Sequence, residues 1–203
     1  LAKHNAFSPF VAQTLRVSLA RDYLAKAPDL AALQTAWKQL PRADQELPEV
    51  TFRAAARMLQ LAEGQGQHAQ VRERLAPLLS RYASLPADLQ LATVLTLEGC
   101  LGHLDRDWLA RIEKLQQSSP RDLRLQYLAG VAYLQQQLWG KAQQALSQLT
   151  RAPQAQHDQP EITRRAYIHL AQLAESQERS QDAQAAWRQA ALLAQQAQPI
   201  FKH

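Results

Sequence analysis

Five positions between residues 130 and 149 recur further along the chain at a constant distance of 41 residues. The first set is Gly130, Tyr133, Ala142, Leu146 and Leu149, and the second is Ala171, Ala174, Ala183, Trp187 and Ala190. The first and third positions of each set are small, and the fourth is large. Small residues facing each other let two helices approach closely, and the large residue fills the gap to the next pair. This spacing predicts two helix–turn–helix repeats in residues 119–197, packed through Gly130, Ala142, Leu146, Ala171, Ala183 and Trp187.

The spacing is typical of tetratricopeptide repeats, each of which is one helix pair. Residues 48–118 match it as degenerate repeats, and residues 9–47 match only as amphipathic helices. Residues 41–48 read as a polar connection, and Gly64 and Gly66 predict a turn. We therefore expect an all-α, tetratricopeptide-like α-solenoid of about five antiparallel helix pairs. It would form a single domain over residues 1–203, with a tail at 198–203. Helix-capping signals are expected at Ser8, Asp29, Asp105 and Ser119.

The composition points away from several classes of function. The net charge is +5, but lysine and arginine are scattered singly, which predicts a basic solvated surface and no nucleic-acid partner. The single cysteine, Cys100, is expected to be a small buried residue. The six histidines show no metal-ligand spacing, and no nucleophile–base–acid set is recognisable. We therefore expect no metal, no bound cofactor and no enzymatic activity.

One set of positions suggests a binding groove. In tetratricopeptide repeats the first helix of each pair lines a concave face, and the residue six positions before the small one points into it. Counting back along this chain gives three arginines with three neighbouring positions: Arg53, Arg124 and Arg165, with Tyr127, Val131 and Gln172. Three guanidinium groups would suit a carboxylate-bearing ligand or an acidic peptide. The alternative is that three arginines share this position by coincidence, because arginine is common in the chain.

Two short segments and the end of the chain go beyond a generic repeat: Trp-Lys-Gln-Leu-Pro at residues 37–41, Leu-Trp-Gly-Lys-Ala at residues 138–142, and a final alanine-rich pair. Through them, most of the chain resembles the C-terminal half of the HemY family, tetratricopeptide proteins encoded with haem-biosynthesis genes in many Gram-negative bacteria. The resemblance implies a scaffold for haem-synthesis enzymes at the bacterial inner membrane, with this domain facing the cytoplasm. The chain begins without an initiator methionine, and we expect it to be the soluble part of a longer protein with N-terminal membrane helices.

Two other functions stay open. One is a carrier of haem or protoporphyrin, in which Arg124 and Arg165 would meet the propionates while Tyr127 and Val131 supply apolar contact. The other is a tetratricopeptide assembly factor unrelated to haem. In the scaffold and the assembly factor alike, the partners would be other proteins, captured along the groove.

Overall fold

A computed structural model describes residues 8–62 and 67–197, and every regular element in these residues is helical. The chain divides into two compact units between Gly102 and His103. Within its described residues, unit 1 contains a short 3-10 helix (Tyr82–Ser84) and six α-helices: α1 (Pro9–Ala25), α2 (Leu30–Gln39), α3 (Arg42–Gln45), α4 (Pro48–Leu61), α5 (His68–Ser80) and α6 (Ala87–Glu98). Unit 2 contains α7 (Arg106–Ser118), α8 (Leu123–Gln135), α9 (Trp139–Arg151), α10 (Ala155–Asp158), α11 (Pro160–Ser176) and α12 (Ser180–Ala197).

These helices confirm the all-α prediction, with tetratricopeptide-like antiparallel pairs. The predicted turn at Gly64 and Gly66 and the predicted tail at 198–203 lie outside the described residues. Whether the two units act as a single domain stays a prediction.

Three of the four predicted helix caps are confirmed. The side-chain oxygens of Ser8, Asp29 and Asp105 each accept a hydrogen bond from the backbone N–H three residues later, at 3.3, 2.7 and 2.8 Å respectively. The cap predicted at Ser119 is wrong, because α8 begins only at Leu123. Asp122 caps that helix instead, since a carboxylate in extended backbone geometry satisfies an N–H group of the first turn.

In unit 1, α4 is the central helix, and it packs against α1, α2, α5 and α6. Residues 41–48 are not simply a polar connection, because the one-turn helix α3 forms within them. The buried aliphatic side chains come from every long helix of the unit: Leu24, Leu33, Val50, Leu75, Leu78 and Leu97.

In unit 2, α8 packs against α9, and α11 packs against α12. The helix α9 also packs against α11, and α7 packs against α8. The backbones of α8 and α9 approach so closely that a Cβ atom at Gly130 would lie 2.7 Å from Cδ2 of Leu146. Glycine is therefore the residue that this contact admits without a shift of its neighbour.

The turns that join these two pairs share one geometry. Gln137 and Glu178, which stand 41 residues apart, both adopt a φ of 57°. The next backbone N–H, of Leu138 or Arg179, donates 2.9 Å back to the carbonyl oxygen five residues earlier in each case. This is the Schellman ending of a helix, in which a left-handed residue lets the chain reverse direction. The 41-residue repeat therefore extends to the backbone of its turns.

A second repeat relates unit 1 to unit 2. The helix α4 begins Pro-Glu-Val-Thr and α11 begins Pro-Glu-Ile-Thr, 112 residues later, and each follows a one-turn helix. The hydroxyls of Thr51 and Thr163, which are both buried, each donate to two backbone carbonyls. The acceptors are Gln45 and Leu47 at 2.8 and 3.0 Å, and Ala155 and Gln159 at 2.8 and 2.9 Å. The short helix is thus tied to the long helix by the same side chain in both units.

Candidate functional site

The predicted groove arginines of unit 2 are already paired with carboxylates. Arg124 donates from Nε and Nη2 to the two carboxylate oxygens of Asp122, at 3.0 and 2.9 Å. Arg165 donates from Nε to Glu161 at 2.6 Å, and Arg164 binds the same carboxylate. Both guanidinium groups therefore bind carboxylates at the N-terminal ends of their own helices. They do not form the free basic surface that the groove prediction required.

The carboxyl group between these arginines is perturbed by them. Burial alone would raise the pKa of Glu161, but the hydrogen bonds and charges of Arg164 and Arg165 outweigh burial and hold that pKa below its ordinary value. The ion pairs at the start of α11 are consequently intact at neutral pH.

The prediction that Tyr127 and Val131 line a groove is wrong, because both side chains are buried. Tyr127 and Val131 are 0% and 2% exposed, so neither can contact a ligand in a groove. Both side chains point into the packed interior, where the ring of Tyr127 lies 6.0 Å from that of His169 on α11. The predicted porphyrin site combined Arg124 and Arg165 with apolar contacts from Tyr127 and Val131. Those apolar contacts are not available, because both residues are buried.

The remaining groove positions are accessible to different extents. Arg53 is half-buried on α4 of unit 1, and Gln172 is exposed on α11 of unit 2. A role for either in partner binding stays a prediction.

The positions expected to pack the repeats are buried, with one exception. Gly130, Ala142, Leu146, Ala171 and Ala183 are all buried.

The exception is Trp187, which is 38% exposed, and its Nε1 donates to Glu175 at 2.7 Å. Its counterpart Leu146 is covered because α11 packs on α9, whereas no described helix follows α12. The expectation that Trp187 is buried is wrong for that reason.

A groove with a volume of about 930 Å³ opens on unit 1. We call it the unit 1 groove. One side is formed by α2 and the segment after α3, the floor by α4, and the other side by α5. The residues on which its chemistry depends are Trp37, Lys38, Met58, Arg74, Pro77 and Arg81.

A stacked pair joins the two sides of the unit 1 groove. The guanidinium carbon of Arg74 on α5 lies 4.1 Å from the centroid of the Trp37 ring on α2. Such a cation–π contact fixes a flexible arginine over the ring face. Burial lowers the pKa of Arg74, but the ordinary pKa of a guanidinium group is so high that the side chain remains charged. Neither residue was predicted from the sequence to lie in a binding site. In the structure, the partial exposure of the Trp37 indole is what marks this surface as a candidate binding site.

Part of the unit 1 groove recurs in unit 2 with different side chains. A smaller groove of about 350 Å³ in unit 2 has eleven lining residues, among them Leu170, Asp182, Ala185, Ala186 and Gln189. We call it the unit 2 groove. These five residues each stand 112 positions after a residue of the unit 1 groove, so this part of the two linings corresponds in the second repeat, while the other lining residues differ in position. Position 74 is arginine in the first copy, and its counterpart at 186 is alanine.

Other kinds of site find no positive support. Within residues 8–62 and 67–197, no three histidine, cysteine or acidic side chains gather where they could hold a metal ion. Cys100 is buried and unpaired, and burial raises its pKa to about 12, which leaves the thiol protonated. None of the helices in the described parts of the chain combines the length and the apolar character needed to cross a bilayer. The absence of enzymatic activity stays a prediction.

Comparison with known proteins adds little to this picture. No protein-family model matches the chain, and no curated protein matches it in sequence. A solved structure of a MamA mutant is similar at 15% identity, covering 92% of this chain and 99% of that one, with a TM-score of 0.43. A likeness of that TM-score carries no argument about function, and the HemY resemblance gains no support from these comparisons. The fold assignment therefore depends on the helix pairs and turns described above.

Proposed function

We propose that this chain is a protein-interaction module that binds a segment of a partner protein in the unit 1 groove. The observation that carries the proposal is the length of this groove along α5. Its lining includes Ala69 near the start of α5 and Ser80 at the end, a span of about 17 Å at 1.5 Å per residue. A groove of that length matches a short helix or an extended segment, which is how helical surfaces commonly capture peptides.

The lining of the unit 1 groove suits such a partner. The half-buried Trp37 offers apolar surface, and charged side chains stand around it. Interfaces of this kind bind through a few aromatic or arginine anchors in a surface that excludes water. The volume of about 930 Å³ also lies at the upper end of the range of about 300–1,000 Å³ found for ligand pockets.

Selection of peptides on the whole chain tests the proposal. A display library of random 12-residue peptides is selected on the immobilised protein, and the selected peptides are then measured against two variants. Ala69→Trp places an indole in the groove, because Ala69 is exposed and lines it. Ala31→Trp is the matched control, because Ala31 is equally an exposed helical alanine but does not line the groove.

We expect the selected peptides to lose binding to the Ala69→Trp variant and to keep it to the Ala31→Trp variant. Both variants should retain the helical circular-dichroism spectrum of the wild-type protein, since neither position is buried. Peptides that bind the two variants equally well would show that the unit 1 groove is not the binding surface, and the proposal would fail.

The finer proposal concerns the identity of the partner. On the sequence resemblance alone, we propose that the partner is an enzyme of late haem synthesis and that the protein acts at the bacterial inner membrane. Photo-crosslinking from position 70 in the intact protein, inside cells, tests this. Gln70 is exposed and lines the groove, so a crosslinker there reports its occupant. Crosslinked products that contain no enzyme of that pathway would reject the haem link and leave the groove proposal standing.

A further inference from the structure

We propose that the segment held in the unit 1 groove is acidic, with carboxylates that pair with Lys38 and Arg74 and an apolar side chain that packs against Trp37. This inference rests on the proposed function of the groove and adds the chemistry of its occupant. The apolar contact follows from the lining residues, and the acidic character follows from the balance of charges in the groove.

The positive charges that line the unit 1 groove lack carboxylate partners. In the described part of the chain, neither Lys38 nor Arg74 makes an ion pair, and Arg81 donates to a backbone carbonyl, that of Glu46, at 2.7 Å. The carboxylate of Glu46 is itself bound by Arg42, Nε to Oε1, at 3.2 Å. The other acidic residue of the lining, Glu73, has an interaction within the chain. The groove therefore presents more unpaired cations than anions to a ligand.

The stack on Trp37 prepares Arg74 for a carboxylate. When a guanidinium group stacks on an aromatic ring, the contact uses the flat face of the group. Its N–H groups lie in the guanidinium plane and are not involved in the stack. Arg74 donates no hydrogen bond within the described residues, so these N–H groups remain available to the planar fork that arginine offers to carboxylates. The partial burial that lowers the pKa of Arg74 also weakens screening by water, which strengthens attraction to an anion at this position.

The second copy of the groove shows that the fold does not require these charges. The counterparts of Glu73 and Arg74 in the unit 2 groove are Ala185 and Ala186. The acidic residue of that groove, Asp182, is already bound by Arg179 at 3.0 Å. Since the same helix pair forms without a cation at position 186, the arginine at position 74 is free to serve recognition.

The test uses the peptides selected from the 12-residue display library on the wild-type chain. We compare the mean net charge of the peptides that are sensitive to Ala69→Trp with that of the unselected library. Their affinities are then measured by fluorescence anisotropy for the double variant Lys38→Met, Arg74→Met, which keeps long apolar stems without charge. Arg151→Met is the matched control, because Arg151 lines the unit 2 groove.

We expect the sensitive peptides to be enriched in aspartate and glutamate. Their affinity should fall about tenfold or more in the double variant, remain unchanged in Arg151→Met, and weaken as salt is raised. The thermal unfolding curve of the double variant should show a folded protein, since Lys38 is exposed and Arg74 only half-buried.

Two other outcomes separate this inference from the function on which it rests. Peptides that are sensitive to Ala69→Trp but carry no excess of acidic residues, and that bind the double variant as tightly as wild type, would overturn the acidic partner alone. A selection that yields no peptides sensitive to Ala69→Trp would overturn the groove as a binding surface, and the acidic partner with it.

Discussion

Replacing Gly130 with alanine tests the close contact between α8 and α9. The added Cβ would lie 2.7 Å from Cδ2 and 2.8 Å from Cγ of Leu146. Leu146 is 0% exposed, so it cannot swing into solvent, and either its side chain must repack or the two helices must move apart. Overpacking of this kind costs about 1–3 kcal/mol, whereas alanine gains about 1 kcal/mol over glycine in helix propensity. We expect Gly130→Ala to lower the free energy of unfolding by about 1 kcal/mol.

Gly140→Ala is the matched control for this substitution. Gly140 lies in the first turn of α9, and a Cβ there would meet nothing within 4 Å. Only the gain in propensity remains, so we expect stabilisation by up to about 1 kcal/mol. Urea unfolding and thermal unfolding, both followed by circular dichroism, measure the two variants. Their urea midpoints and their melting temperatures should move in opposite directions, the melting temperatures by about 2–4 °C per kcal/mol in a chain of this size.

A double-mutant cycle isolates the steric contact. Truncating the neighbour with Leu146→Ala should cost about 2–5 kcal/mol, because a fully buried leucine leaves a cavity. Adding Gly130→Ala in that background should be stabilising, since the clashing atoms are gone and the propensity gain remains. The close contact would be refuted if Gly130→Ala stabilised the protein with Leu146 present as much as Gly140→Ala does.

Three further outcomes are expected. Gln137→Gly and Glu178→Gly should each raise the free energy of unfolding by about 0.5–1 kcal/mol, because both residues hold a φ of 57° that glycine adopts without strain, and unchanged urea midpoints would contradict this. Cys100, whose pKa burial raises to about 12, should react with iodoacetamide at pH 8 on the order of a thousandfold more slowly in the folded protein than in urea, and a native rate close to the denatured one would refute its burial. The pKa of Glu161 is lower in the folded protein than in the unfolded chain, so its ion pairs stabilise above the unfolded pKa and that contribution is lost as pH falls through the folded value. Glu161→Gln should therefore cost about 0.3–0.5 kcal/mol per ion pair at neutral pH and nothing at strongly acidic pH, and a cost independent of pH would reject this origin.

The packing of the clearest repeats could be predicted from spacing because sterics dictate it. Only a residue without a Cβ fits opposite Leu146, and a template of small and large positions captures that requirement directly. The error at Trp187 has the same origin. The template assumes a following helix pair that covers the large residue, and the described chain has none after α12.

The binding surface could not be predicted in the same way. The template counts positions along one helix, and Tyr127, which it placed in a groove, is instead buried. The unit 1 groove arises where α2, α4 and α5 meet, and the stack of Arg74 on Trp37 joins residues far apart in sequence. The 112-residue repeat was visible in principle as Pro-Glu-Val-Thr and Pro-Glu-Ile-Thr. A search for small residues at fixed spacing passes over it, because its marker is a hydrogen-bonding threonine.

The two threonines that anchor α4 and α11 have a consequence for how this chain can change. Thr51 and Thr163 both bond to the carbonyl oxygen four residues earlier and to a residue of the preceding short helix, while the adjoining groove positions differ, with Arg74 and Pro77 in unit 1 and Ala186 and Gln189 in unit 2. The residues that hold the helices and the residues that line the grooves are therefore at separate positions. A substitution in the groove lining of one unit can change what that groove binds without removing the threonine hydrogen bonds that anchor its helices.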